Sequence, residues 1–173
     1  MSAPADLTSL LARDEIHSVL LRYFRGIDRL DLELVRSCYH ADAHDSHGGF
    51  SGTRDEFVAW VTKLLARFES TMHFAGNVLI EVEGDAAVAE TYAIAFHRSR
   101  EARPSLNLMV GVRYVDRFEK RAGAWKIARR ACVTEWSRVD DEPGRFPIAE
   151  AHLTGKRDRS DVLYEMLAGL GKR

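Results

Sequence analysis

The chain is poor in cysteine. Only Cys38 and Cys132 occur in 173 residues, far apart and outside any paired motif, which excludes a disulfide-stapled scaffold. Both read as reduced core thiols. Net charge is also nearly absent, with 25 basic side chains against 26 acidic ones. No global field therefore argues for nucleic acid or an anionic membrane as partner. No apolar run is long enough to span a bilayer. Residues 1–6 lack the basic start and apolar stretch of a secretory signal, so the expected address is cytoplasmic. Phosphate-binding glycine loops, a G-x-S-x-G elbow and a dinucleotide fingerprint are all missing, as are internal repeats and interdomain linkers. What the chain does have is 46% hydrophobic residues, enough for one domain with a real core and too little length for two.

The first half reads as helices. Ile16, Val19, Leu20, Tyr23, Phe24 and Ile27 recur at three- and four-residue steps, placing one apolar face on a helix over residues 6–29. Asp6 or Thr8 can cap its start, and Gly26 is the expected terminator. A shorter helix follows over residues 31–39, with Leu32, Leu34, Val35 and Cys38 on its apolar side. Residues 40–52 are too polar and glycine-rich for a helix and read as a short strand and a loop. Thr53-Arg54-Asp55-Glu56 forms a capping box that opens a third helix carrying Phe57, Trp60, Val61, Leu64, Leu65 and Phe68.

After Ser70 the hydrophobic period falls from about 3.6 to 2, the mark of strands. Strands are expected at residues 74–83, 86–98, 105–119 and 124–137, with turns at Glu83-Gly84-Asp85 and Arg121-Ala122-Gly123. Leu106, Leu108, Val110, Val112, Tyr114 and Phe118 share one face of the third. Long sequential strands on short turns predict an antiparallel meander covered on one side by the earlier helices, an α+β architecture. Beyond Trp136 the segment 137–160, with Pro143, Gly144 and Pro147, reads as an irregular arm before a last helix over residues 161–170.

Several residues could carry chemistry. Asp28 follows an apolar helical face, and Tyr23, five residues earlier, can project toward the same cavity rim. The bland reading of Asp28 is a surface carboxylate paired with Arg25 or Arg29. His73 enters the first long strand, where an imidazole could take and return a proton if a carboxylate fixed its tautomer. A lone histidine there is more often a satisfied core residue, so the pairing with Asp28 is what matters. Arg129 and Arg130 point to opposite faces of the last strand, one toward solvent and one inward. An inward arginine needs an anion, which a substrate carboxylate, an enolate or Asp28 could supply. His97 shares its face with Thr91, Ala93 and Ala95, a strip that either lines a cavity or packs closely against helices. His40, Asp42, His44, Asp45 and His47 resemble a metal-ligand supply, but their spacing on a strand and loop fits no helical zinc pattern. They read as polar residues, with no metal site.

The order Tyr23…Asp28, then Ser37-Cys38-Tyr39-His40-Ala41-Asp42-Ala43, Gly49-Phe50-Ser51-Gly52, Thr71-Met72-His73-Phe74, Gly76-Asn77 and Gly123-Ala124-Trp125…Arg130…Trp136 resembles the SnoaL-like branch of the nuclear transport factor 2-like superfamily. The likeness spans roughly residues 6–138. It implies a cone-shaped α+β barrel, three N-terminal helices around a pocket, with residues 139–173 as an arm of the same domain or its oligomer interface. Similar members include scytalone dehydratase, bile-acid 7α-dehydratase and hexachlorocyclohexane dehydrochlorinase. In these, an Asp at the end of the first helix orients a His that removes a proton. The resemblance places these roles on Asp28 and His73, with Tyr23 and Arg130 as assisting groups. Counting five residues past Trp125 favours Arg130 over Arg129. The bile-acid enzyme's second acid has no clear counterpart here, His97 lying near its place. The dehydrochlorinase has Lys where this chain has Tyr23, so dehydration or isomerisation is expected over dehalogenation.

The expected function is a cofactor-independent lyase or isomerase acting on a small hydrophobic ring compound, steroid-like or polyketide-like. Trp60, Asn77, His97 and Trp136 are the expected substrate-binding residues, and the particle is expected to be a homodimer or homotrimer. The rival readings are a binding or assembly domain without turnover and an accessory subunit, because fold membership alone establishes no chemistry.

Overall fold

The structure, a computed structural model, describes residues 7–99, 106–141 and 152–170. Helix α1, Leu7–Arg29, buries Ala12, Ile16, Val19, Leu20, Tyr23, Phe24 and Ile27 along the stripe that the spacing predicts. Asp6 lies outside the described residues. Gly26 does not end the helix. Leu30 does, in the left-handed region at φ 53°, with Asp31 N–H donating to Gly26 O at 2.9 Å and Leu30 N–H to Ile27 O at 3.4 Å. This double bond is the Schellman closure, here carried by a leucine whose side chain packs on the core. Gly26 serves proximity instead. A Cβ there would stand 2.7 Å from Val35 Cγ2 and 3.1 Å from Asp31 O, so only glycine lets helix α2, Leu32–Ser37, cross this closely.

Asp31 caps α2 through the amide of Leu34 at 3.1 Å. Strands β1, Tyr39–His47, and β2, Phe50–Thr53, then form a hairpin where a single strand and a loop are expected. Helix α3, Arg54–Leu65, starts at the capping box: Thr53 Oγ1 accepts from the Glu56 amide and Glu56 accepts from the Thr53 amide.

Four long strands follow: β3, Phe68–Glu83; β4, Ala86–Ser99; β5, Leu106–Arg121; and β6, Ala124–Asp141. The β3–β4 turn has Gly84 at φ 57°, and the β5–β6 turn has Ala122 and Gly123 at φ 50° and 80°. Positive φ at these positions matches the twist of the strands that the turns join. The sheet order is β2-β1-β6-β5-β4-β3, an open curved sheet with the helices over its concave side. The meander is antiparallel as expected, but β1 joins β6 in parallel. The last strand also runs on to Asp141, past the expected end at 137. Helix α4, Val162–Gly169, capped by Asp161, closes the described chain.

Three of the sheet's irregularities in register decide which way the expected site residues of β3 and β6 face. Arg117 pairs with Arg129 while Phe118 pairs with Ile127, leaving Ala128 as an extra residue in β6. Val112 pairs with Thr134 while Gly111 pairs with Trp136, which makes Glu135 a second one. In β3, Gly76 and Asn77 interrupt the ladder between Ala75 and Val78. Each bulge inverts the alternation beyond it.

Gly26→Ala is expected to lower stability by about 1–3 kcal/mol through overpacking. Gly49→Ala, where an added Cβ meets nothing within 4 Å, is expected to change it by less than about 0.5 kcal/mol. Urea denaturation of both variants checks the pair, and an unaffected Gly26→Ala would remove the close-crossing role.

Candidate active site

The curved sheet and the helices enclose a cavity of about 270 Å³. Tyr23 and Ile27 of α1, Trp60, Val61, Leu64 and Leu65 of α3, and the inward side chains of β4, β5 and β6 form its wall. The end of α1 delivers Asp28 to the start of β3. Asp28 Oδ2 accepts from the His73 amide at 2.9 Å, and Oδ1 accepts from the Thr71 hydroxyl at 3.3 Å and from His73 Nδ1 at 2.7 Å. The side chains are 11% and 6% exposed, so the contact is shielded from solvent competition. Because a carboxylate can only accept, Nδ1 donates its proton to Asp28, and in the neutral ring this places the lone pair on Nε2. His73 lines the cavity, with Phe24 stacked on its ring at 5.8 Å.

His97 stands beside it, ring centroids 5.7 Å apart, and packs on Phe68 at 4.7 Å. Burial, with the neighbouring His73 ring acting in the same direction, pushes its pKa down to about 4. It is therefore a neutral ring at ordinary pH. The small-residue strip of β4 does both things the sequence leaves open: Ala93 packs in the core, and Ala95 borders the cavity.

Arg130 points inward and Arg129 is exposed. The bulge at Ala128 brings Arg130 onto the face of Trp125 and Ile127, where strict alternation would have put Arg129. Yet Arg130 does not border the cavity, which corrects the expectation of a substrate-contacting arginine. Its Nε and Nη2 donate to the two oxygens of Asp116 at 2.7 and 2.6 Å, and Nη1 donates to Tyr39 Oη at 3.3 Å. Its guanidinium lies 4.0 Å from the Tyr23 ring centre and 4.6 Å from that of Tyr114. Burial disfavours the guanidinium charge, but Asp116 outweighs it and Arg130 stays charged. Burial likewise raises the Tyr23 hydroxyl far above its ordinary range, with Arg130 countering only part of the effect. Tyr23 is a proton-bearing donor at any working pH.

Two expected wall residues lie elsewhere. Asn77, at the β3 irregularity, and Trp136, beyond the Glu135 bulge, line a groove on the sheet's outer face with Phe74 and Tyr92. The Trp136 indole covers Gly111, where any side chain would collide with it. Trp60 and His97 do border the interior cavity.

The histidines of β1 separate. His40 Nε2 donates to Glu119 O at 2.9 Å, and His44 Nε2 lies 3.0 Å from Ser51 Oγ. His47 turns into the cavity, its Nδ1 3.6 Å from Asp45 Oδ1. Among the described residues no cluster of three His, Cys, Asp or Glu side chains is placed to hold a metal ion. Burial acts against a charged His47, but the Asp45 carboxylate, helped by the Cys132 thiol, outweighs it and lifts its pKa to about 9. The sequence sets Asp45 and His47 aside as polar residues of a strand and loop and gives no role to Asp116. The signal was there: Asp45 and His47 are two apart on a strand, and Asp116 interrupts the apolar face between Tyr114 and Phe118.

A curved open sheet with three helices across its hollow, and a histidine–carboxylate contact in the cavity wall, define the α+β cone class. The chain belongs to the SnoaL-like domain family, whose profile matches residues 8–131. No curated protein matches it significantly. Solved structures do. A protein of Novosphingobium aromaticivorans, provisionally designated a scytalone dehydratase, superposes with TM-score 0.69 at 23% identity, covering 85% of this chain and 98% of its own. A type 2 hexachlorocyclohexane dehydrochlorinase (LinA) gives 0.73 at 16% identity, covering 85% and 99%. The LinA type 3 enzyme of Novosphingobium barchaimii gives 0.72 at 17%, covering 83% and 99%. At such identities the likeness speaks for the fold. No helix among the described residues is long and apolar enough to cross a membrane.

Arg130→Met leaves Asp116 buried and unpaired and is expected to cost about 3–5 kcal/mol. The double variant Arg130→Met/Asp116→Leu is expected to recover most of that loss. Denaturant midpoints of the two variants decide it; a double variant no better than the single would mean the charges are not a balanced pair.

Proposed function

We propose that this chain is a cofactor-independent lyase or isomerase of the dehydratase type, with His73 as general base. The observation that carries the reading is the 2.7 Å contact between His73 Nδ1 and Asp28 in the cavity wall. Nε2 of His73 abstracts a proton next to a carbonyl, and Asp28 holds the tautomer and balances the imidazolium that forms. Tyr23 donates its hydroxyl proton in a hydrogen bond to the developing oxyanion. Arg130 acts from beneath, through the Tyr23 ring, and does not contact substrate. Trp60 and His97 shape the apolar wall. A volume of about 270 Å³ lies under the usual range for drug-sized ligands, about 300 Å³ and upward. It favours a compact mono- or bicyclic, polyketide-like substrate over a steroid.

The reading includes a homodimer or homotrimer formed through the outer face of the sheet. Met72, Phe74, Leu79, Val88, Tyr92 and Trp136 are exposed large apolar side chains of β3, β4 and β6, more than a soluble sheet face ordinarily displays. Residues 139–173 are assigned to the same domain as 1–138. In support, Arg157 donates to Leu65 O and Phe68 O, and Arg29 donates to Lys156 O. Sedimentation of wild type and Phe74→Glu tests the oligomer: a multimer that Phe74→Glu dissociates is expected, and a monomeric wild type rules it out.

For the chemistry, His73→Ala is expected to lower turnover of a cyclic β-hydroxy ketone by about two to four orders of magnitude with the fold intact. Asp28→Asn is expected to lower it too, because an amide can present the wrong partner to Nδ1. Ligand affinity is measured alongside turnover. If both variants bind and wild type turns nothing over across a panel of cyclic β-hydroxy ketones and enones, the cavity is a carrier site and the enzyme reading fails.

A further inference from the structure

The cavity holds a second histidine–carboxylate pair that the reading above does not use. Asp45 is fully buried. Its Oδ2 accepts from the Tyr39 hydroxyl at 2.7 Å. Its Oδ1 and His47 Nδ1 are both buried, have no hydrogen-bond partner elsewhere, and face each other at 3.6 Å. A buried carboxylate demands a counter-charge. Arg130 cannot supply it, since its fork is committed to Asp116. His47 is the basic side chain that faces Asp45. The contrast with Asp28 is direct: that carboxylate spreads its charge over the His73 amide, the Thr71 hydroxyl and the His73 ring.

We propose that His47, held by Asp45, forms a cationic subsite that takes an anionic or strongly polarised oxygen on the substrate ring: a phenolate, an enolate or a carboxylate. The proposal deepens the dehydratase reading by giving the same cavity a second, opposite pole. With Nδ1 turned to Asp45, Nε2 is left toward the cavity, where the Cys132 thiol stands beside the ring. The ring is packed by Phe57, Trp60 and Tyr114 at 5.4, 5.9 and 5.7 Å, with a fifth of the side chain exposed. Gly48 and Gly49 border the cavity next to it. Tyr114 also touches Phe24 at 5.6 Å, and Phe24 carries His73. The two histidines therefore stand across an aromatic floor from each other. A ring compound on that floor would present its C–H to one and its oxygen to the other. In the proton-transfer step the C–H bond breaks, the proton goes to His73 Nε2, and the electron pair forms the C=C bond as the C=O pi pair moves onto the neighbouring carbonyl oxygen, which becomes the enolate that His47 holds.

The groups that face His47 are Asp45 on its own strand, Cys132 of β6, Tyr114 of β5 with the Asp116–Arg130 pair behind it, and His97 of β4. His97 is neutral and the Asp116–Arg130 charges cancel, so Asp45 dominates. With the pKa lifted to about 9, the ring is charged below that pH and loses its charge above it.

The test is equilibrium binding of 2-naphthoate and its neutral isostere 2-naphthamide, followed from about pH 7 to about pH 10. Wild type is expected to prefer the carboxylate and to lose that preference by about tenfold or more through a transition near 9, with 2-naphthamide flat throughout. His47→Gln is expected to lose the preference at every pH, and His73→Ala to keep it. Asp45→Asn, which keeps the ring but removes its counter-charge, is expected to shift the transition to lower pH. The wild-type profile and Asp45→Asn decide the matter if His47→Gln does not fold. A wild type that binds neither probe, a flat carboxylate profile, or an unchanged preference in His47→Gln would overturn the proposal. A His73→Ala variant with full turnover but normal naphthoate binding would sink the base reading alone and leave this subsite standing.

Discussion

A guanidinium with no access to water must be matched by an anion on the spot, and Arg130 imposes that demand on the centre of this fold. Asp116 answers it with both oxygens, from the strand next door. The rings of Tyr23 and Tyr114 close over the pair, since a cation is better tolerated against an aromatic face than against aliphatic carbon. Tyr39 then has its hydroxyl between Arg130 and Asp45, donating to the carboxylate and accepting from the guanidinium. From that arrangement the next follows. With Arg130 neutralised by Asp116, Asp45 has to find its cation elsewhere, and His47 is the group that faces it. The chain of buried charges ties α1, β1, β5 and β6 into one electrostatic unit beneath the cavity.

Such a unit contributes little net stability, because desolvation of the ions offsets most of their attraction. What it contributes is direction. Apolar packing alone would tolerate several rotations of Tyr23 or Tyr114, whereas a guanidinium clamped by a bidentate carboxylate fixes the plane against which they rest. The rings of Tyr23 and Tyr114 are thereby held from beneath by a contact that needs no ligand. The same division appears at Asp28, whose three donors pin His73 from below and leave its far nitrogen toward the open side.

Helices, turns and strand order were largely readable from period and capping chemistry: the α1 stripe, the Thr53–Glu56 box and the two hairpin turns all stand where the residues put them. The approach of Asp28 to His73 was readable only through family likeness, since a sequence separation of this size carries no geometric signal. What resisted reading has one physical origin. Inward and outward faces on a strand follow from counting by twos, and a single extra residue inverts the count. Ala128, Glu135 and the Gly76–Asn77 pair each do this. They put Arg130 inside, and they leave Trp136 and Asn77 outside. Bulges have no strong composition of their own, so local pattern cannot place them. Gly26 failed for a related reason: its role depends on Val35, which is near in space rather than in the helix.

The bulges also explain why there is a cavity where a core might have been. A bulge bends the strand that carries it, and β6 has one at Ala128 and one at Glu135. β4 presents small side chains, Ala93 and Ala95, on its hollow side. Large residues at those positions would fill the space that α3 and the sheet leave between them; alanines keep it open at Ala95 while packing the backbone of the layer at Ala93. Around that space stand three imidazoles with unlike surroundings. His97 is kept neutral by burial, His47 has its pKa lifted by Asp45, and His73 donates Nδ1–H to Asp28. A polarised wall opposite a lone pair is the electrostatic arrangement that separating a proton from carbon requires. The carboxylate each histidine meets, and not the histidine itself, determines which wall it becomes.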